Sequence, residues 1–133
     1  MTSTQKGVGI IVENADKELL LHLRDNNTNV LKNQWCLIGG TANDGEDVKM
    51  AAERELQEET GIKASDLKLY SIFNFNGKEI SIFYAKIKEK ESDLVLGEGK
   101  ALKLMSIEEY KSLIKSLNYS NPYLDELNKF LKL

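Results

Sequence analysis

Gly40–Ile62 constrains this chain more than any other stretch. It holds Gly40, then Glu46, then the unbroken run Arg54-Glu55-Leu56-Gln57-Glu58-Glu59-Thr60-Gly61-Ile62. Val48 to Glu59 contains neither Gly nor Pro and is rich in good helix formers, which predicts a helix. Asp44 or Asp47 can cap its N-terminus, and an acid there suits the positive end of the helix dipole. Gly61 stands where a left-handed residue would close the last turn. At about 100° per residue, Val48, Ala51, Ala52, Glu55 and Glu59 share one face, while Lys49, Glu53 and Gln57 share the opposite one. Glu58 lies at the edge of the first face.

Acidic runs are usually solvated helix faces, and that account suits Glu53. It suits Glu55 and Glu59 badly, because they share a face with small apolar residues that pack inward. Carboxylates on a partly buried face pay for desolvation and mutual repulsion. A divalent cation removes that cost, and a cluster of oxygen ligands suits Mg²⁺ or Mn²⁺. The face therefore reads as a metal site.

The same residues, position for position, resemble the signature of Nudix hydrolases, and the preceding Trp35-Cys36-Leu37-Ile38-Gly39-Gly40 is similar to the strand that leads into it. Ile38 departs from the proline common there, which bears on loop stiffness more than on chemistry. Outside the signature the resemblance lies in the order of elements, over nearly the whole chain. It implies an α/β (α+β) fold, an α/β/α sandwich whose mixed sheet lies between helices. The signature helix would cover one face and the C-terminal helices the other.

The resemblance further implies a metal set of Glu55, Glu58 and Glu59 with the Gly39 carbonyl, and Mg²⁺ as cofactor with Mn²⁺ as a substitute. Arg54 points about 100° round the helix from Glu55, so it is expected to pair with Glu46 or another loop carboxylate and hold the carboxylates rather than touch metal. Glu55, Glu58 and Glu98 all stand open as the general base.

At 133 residues the chain suits one domain, 1–133, and is too short for two. The net charge of −3, with no basic stripe, argues against a nucleic-acid partner. A small nucleotide remains compatible, because metal ions reverse the local sign. Cys36 is single, so no internal disulfide is expected. The absence of a signal peptide and of a long apolar run leads to the expectation of a cytoplasmic protein without a membrane partner.

In chain order, 6–12 and 18–24 read as strands joined by a turn at Asn14-Ala15-Asp16. Gly7 and Gly9 leave one face of the first bare, which marks close approach by a ligand or by backbone, or simply poor packing. His22 reads as structural or surface. Arg24, before the polar loop 25–29, is either a phosphate contact or a surface ion pair. Asn76-Gly77 predicts a hairpin between 66–75 and 79–87. Phe75 and Tyr84 in that hairpin are expectations for base stacking, with core packing as the competing role of each.

Glu98, flanked by Gly97 and Gly99, resembles the acidic loop in which relatives place a further metal ligand or a base; an exposed turn is the alternative. Ala101–Met105 reads as a strand, and Ser106 with Glu109 as a capping box for a helix to about Leu117. Asn121-Pro122 opens a last helix. Asn121 resembles the asparagine that reads a purine edge in MutT-type members, although helix capping explains it fully.

The expected reaction is hydrolysis of a nucleoside diphosphate linked to another group. Nucleoside triphosphates, oxidised purine ones included, come first and nucleotide sugars second. The proline that ADP-ribose-specific relatives tend to carry some fifteen residues after the signature is missing, Pro122 being the only proline, and so is the upstream arginine-rich motif of the coenzyme A type. A nucleotide-sensing domain without turnover is the competing class, against which the complete set of signature acids stands. A calcium loop is disfavoured because Asn43-Asp44-Gly45-Glu46 lacks alternating acids. Whether the chain is a monomer or a homodimer stays open.

Overall fold

The computed structural model describes residues 5–27 and 31–133, so part of the 25–29 loop lies outside the described residues. The strands are β1 (Gln5–Asn14), β2 (Leu19–Leu23), β3 (Trp35–Cys36), β4 (Ile38–Thr41), β5 (Lys68–Phe75), β6 (Lys78–Ile87) and β7 (Ala101–Met105). The helices are α1 (Val48–Thr60), α2 (Ile107–Ser116) and α3 (Pro122–Leu131). The sheet runs β3-β2-β1-β6-β5, with β4 added to β1 and β7 to β2. β1 pairs β6 in parallel, and its pairings with β2 and β4 are antiparallel, so the sheet is mixed.

Strand alternation sorts the core into two layers. Val8, Ile10 and Val12 of β1 face Ala51, Ala52 and Leu56 of α1. Ile11, on the opposite face of β1, belongs to the layer holding Tyr110 of α2 and Leu124 and Leu127 of α3. Helix α1 therefore lies on one face of the sheet and α2 and α3 on the other, as expected. The small side chains of Ala51 and Ala52 leave room for α1 to settle close to the sheet. Ile38, standing where relatives carry proline, donates its side chain to the α1 layer and pairs with Ile10.

Gly61 closes α1 at φ 79°, its N–H donating to the Gln57 carbonyl at 2.9 Å. Asp47 occupies the N-cap position, but its carboxylate makes no capping hydrogen bond. The start of α1 is held instead from Glu46, which is gripped by Arg54 one helix face away. Asn121 and Ser106 cap α3 and α2 with their side chains, as their sequences predict. The bare positions of β1 are filled by protein: a Cβ on Gly9 would lie 2.8 Å from Ile82 Cδ1 and 3.1 Å from the Tyr123 ring.

Candidate active site

Helix α1 and strand β4 build the floor of the site. Glu59 projects from the last turn of α1 and is only 6% exposed. Its Oε2 accepts from the Gly39 N–H at 3.2 Å. Burial, reinforced by the negative Glu55 nearby, pushes the Glu59 carboxyl up to about 8, against the opposing pull of the Gly39 N–H and Arg24. Burial also raises Glu55, and Arg54 partly offsets that rise. Glu55 lies hard against the β4 backbone: a Cβ on Gly40 would sit 2.5 Å from its carboxyl carbon. Only a residue without a side chain leaves that space, which accounts for the glycine opening the signature.

Arg54 acts as the expected brace. Its Nε and Nη2 grip both Glu46 oxygens at 2.9 and 3.0 Å, and Nη1 donates to Glu55 at 2.9 Å and to Glu58 at 3.2 Å. Nη2 also donates to the Thr41 carbonyl at 3.1 Å, tying helix to strand. Such a fork fixes carboxylate orientation in a way a lysine would not.

The loop carrying Glu98 is bolted across this floor. The last carbonyls of a helix have no partner within it; here Thr60 accepts from the Val95 N–H at 3.0 Å and Glu59 from the Gly97 N–H at 3.1 Å. Gly97 passes so close that a Cβ would meet the Glu58 carbonyl at 2.0 Å. At the far end the Lys100 N–H donates to the Leu23 carbonyl at 2.8 Å. The result is a cleft of about 690 Å³ lined by Glu55, Glu59, Glu98, Arg24, Gly39, Gly40 and His22, among others.

Beside it, sharing Arg24, Gly39, Gly40 and Thr41, lies a smaller cavity of about 230 Å³ walled by Phe75, Tyr123 and Lys78. Phe75 meets Tyr123 edge-on, ring centroids 6.1 Å apart. An acidic cleft thus opens into an aromatic cavity, with the cations Arg24 and Lys78 along its walls.

Three sequence expectations are placed elsewhere. Tyr84 pairs opposite Lys68 while Phe75 pairs opposite Lys78, so the two occupy far ends of the hairpin, about 20 Å apart along β6. Tyr84 stacks on Phe130 and donates to Glu13 at 2.9 Å, a packing role remote from the cavity. Asn121 is buried, accepts from the Leu124 N–H at 2.8 Å and directs its amide at Gln34 and Trp35, leaving no edge for a base. Glu58 is 59% exposed, held by Arg54, and lines neither space.

Tyr123 and Lys78 were not singled out in the sequence. Tyr123 reads there as an ordinary second residue of a helix; the bare face at Gly9, open in sequence to a ligand, to backbone or to poor packing, is covered by its ring. Of the two expectations for His22, structural or surface, its 3% exposure excludes the surface, and it sits against the Glu98 loop.

Among the described residues, no group of three or more His, Cys, Asp or Glu side chains is already gathered for a metal ion. The donor chemistry nevertheless fits a hard divalent cation. Glu59 and Glu55 are neighbouring carboxylates set against β4 at Gly39 and Gly40, hard oxygen donors of the kind such a cation takes. Burial and the neighbouring Glu55 carboxylate both favour neutralising Glu59, by a proton or by a cation.

The NUDIX domain model matches residues 3–126. The chain belongs to the Nudix family. This Nudix chain is 43% identical over 63 residues to an RNA pyrophosphohydrolase of Pelagibacter ubique, a match spanning 47% of this chain and 38% of that protein. It is 38% identical over 61 residues to the m7GpppN-mRNA hydrolase NUDT17 of Xenopus laevis, spanning 46% of this chain and 21% of the relative. These matches therefore cover well under half of each relative. The MutT protein of Methanosarcina mazei Go1 shares the Nudix fold, at TM-score 0.70 and 24% identity, with 96% of this chain and 93% of that one superposed. The described residues include no helix long and apolar enough to cross a membrane.

Proposed function

We propose that this Nudix domain hydrolyses a diphosphate linkage in a nucleotide, with a nucleoside triphosphate as first substrate and a nucleotide sugar as second. The observation that carries this reading is the joining of two unlike spaces: the acidic cleft under Glu98 and the aromatic cavity between Phe75 and Tyr123. A phosphate chain and a base need that pair of environments side by side. The cleft alone lies within the roughly 300–1,000 Å³ typical of small-molecule sites.

In the reaction a water oxygen bonds to phosphorus, the bridging P–O bond breaks, and the departing oxygen keeps the electron pair. The proton lost by water goes to a carboxylate: Glu98, exposed at the cleft mouth, or Glu55 in its wall. Glu59, Glu55 and the Gly39 carbonyl would hold Mg²⁺ or Mn²⁺, which when bound neutralises phosphate oxygens and acidifies water. Glu58 joins that set only by leaving Arg54 and turning inward. Arg24 and Lys78 meet the remaining phosphate charge, and Arg54 keeps Glu55 oriented while the charge in the cleft changes. Phe75 and Tyr123 give the base an apolar wall on which to stack.

A substrate panel tests this directly: nucleoside triphosphates, oxidised purine deoxynucleotides, nucleotide sugars and a 5′-triphosphorylated RNA, each with Mg²⁺ and with Mn²⁺. Turnover of the free triphosphates with release of pyrophosphate or phosphate is the expected result. The names of the two relatives make the RNA the strongest competitor, and preference for it would move the substrate assignment there. Binding without turnover in every arm would leave a nucleotide sensor. With the best substrate, Tyr123→Ala should raise KM about tenfold through loss of a stacking partner worth roughly 1–3 kcal/mol. An unchanged KM would move the base away from this cavity.

A further inference from the structure

The mechanism above leaves one buried polar side chain of the cleft without a task. His22 is the penultimate residue of β2, paired to Cys36 on one side and Leu102 on the other, and it lines the acidic cleft. Its Nε2 lies 2.6 Å from the backbone carbonyl of Glu98, while Nδ1 is buried with no partner. A carbonyl only accepts, so the proton must sit on Nε2. Leaving Nδ1 unpaired carries a desolvation cost that an apolar residue at this position would avoid. Gly99, at φ 92°, presses against the same ring: a Cβ there would fall 2.2 Å from Nε2.

Apart from the Lys100 Nζ contact to Asn33 Oδ1, the remaining anchors of this loop among the described residues are backbone bonds. Val95 and Gly97 fix its first half to α1, and Lys100 fixes its end to Leu23. Glu98 stands between them, with glycine on both sides, where the chain has the most freedom. Among the described residues, Glu98 is anchored through its own carbonyl to His22.

We propose that His22 is a positioning residue: its Nε2–H holds the Glu98 backbone so that the Glu98 carboxylate faces the cleft. The role rests on the hydrolase reading, and specifically on Glu98 acting at the reacting phosphate. Without the imidazole the Gly97–Gly99 arc samples many orientations, and the carboxylate spends little time at productive geometry.

Kinetics of His22→Phe, His22→Gln, His22→Asn and Glu98→Gln, with the His22→Phe/Glu98→Gln double variant, test this. Phe keeps the ring and loses the donor. Gln carries its amide near the place of Nε2, whereas Asn carries it near Nδ1 and falls short of the carbonyl. The expected result is a kcat loss of about tenfold or more for His22→Phe and His22→Asn, with KM within about twofold and substantial recovery in His22→Gln. In the Glu98→Gln background, His22→Phe should cost almost nothing further, since its effect passes through that carboxylate. If His22→Phe does not fold, the Gln and Asn variants carry the same comparison. Equal losses in Gln and Asn, or a full additive loss in the Glu98→Gln background, would overturn the positioning role and leave a packing residue. Full activity in Glu98→Gln would overturn it too, while leaving the hydrolase reading intact. Inactivity of the parent protein on the whole panel would fail that reading instead.

Discussion

Glu59→Gln should lower kcat by at least about a hundredfold and, in the absence of metal at pH 8, should make the protein more stable than its parent. The two effects come from the same group. Glu59 is buried beside Glu55, and its carboxyl is pushed up to about 8, from the ordinary glutamate value of about 4.3 in an unfolded chain. Between those two pH values the folded protein keeps a proton that the unfolded chain has released. Folding stability therefore falls as pH rises through this window, by up to about 1.4 kcal/mol per unit. Above about 8 the folded carboxyl ionises as well and the loss levels off. Gln has the same shape, can still accept from the Gly39 N–H, and has no charge to bury, so it escapes the loss. It also offers a cation far less, and charge stabilisation is where phosphoryl transfer gains most of its rate. Paired measurements of kcat and of denaturant unfolding at pH 6 and pH 8 would show both effects. A Gln variant as active as the parent removes Glu59 from the site, and one less stable at pH 8 contradicts the burial of an ionisable carboxylate.

Adjacent glycines should fail in opposite ways. In Gly40→Ala the new methyl meets the Glu55 carboxyl group at about 2.5 Å, the far end of a flexible side chain. Glu55 swings away at little cost to the fold, so the expected outcome is a melting temperature within a few degrees of the parent and kcat lower by on the order of a hundredfold. In Gly39→Ala the methyl would lie 2.1 Å from the Val8 carbonyl oxygen, part of the backbone of β1. Nothing there can rotate out of the way, and β1 and β4 must separate along the register Gly9–Gly39. A loss of about 3 kcal/mol or more is expected, or no folded protein at all. Circular dichroism melts with activity on the same samples separate the two. Equal destabilisation by both would mean that Glu55 does not occupy the space over Gly40.

The signature helix was legible because periodicity and composition agreed there: Ala51 and Ala52 put Glu55 and Glu59 on the inward face, and Gly61 ended the turn. The strands followed from alternation, and Asn76-Gly77 from turn chemistry. Asn121 could not be separated from a simple cap by sequence, since its residue type satisfies both roles equally. Tyr84 failed for a reason of register: alternation gives the face of a strand but not the distance along it to a partner. Glu58 stands outside the cleft, held by Arg54, because the preference of Arg54 among three acids depends on where Glu46 returns, which is tertiary information. Tyr123 was invisible for the same reason, its place over Gly9 being set by how α3 crosses β1. His22 showed its isolation in sequence, yet its contact to Glu98 joins residues 76 apart.

Metal binding by the intact protein at two pH values tests the central claim most directly. Unfolding temperatures of the metal-free chain would be measured at pH 6 and pH 8 with and without excess Mg²⁺, alongside Glu59→Gln. The cation and the proton compete for the same buried carboxylate. Mg²⁺ should therefore raise the melting temperature at pH 8, raise it less at pH 6, and leave the Gln variant nearly unmoved. A parent protein indifferent to Mg²⁺ and Mn²⁺ at pH 8, or a Gln variant that responds equally, would contradict a cation site built on Glu59.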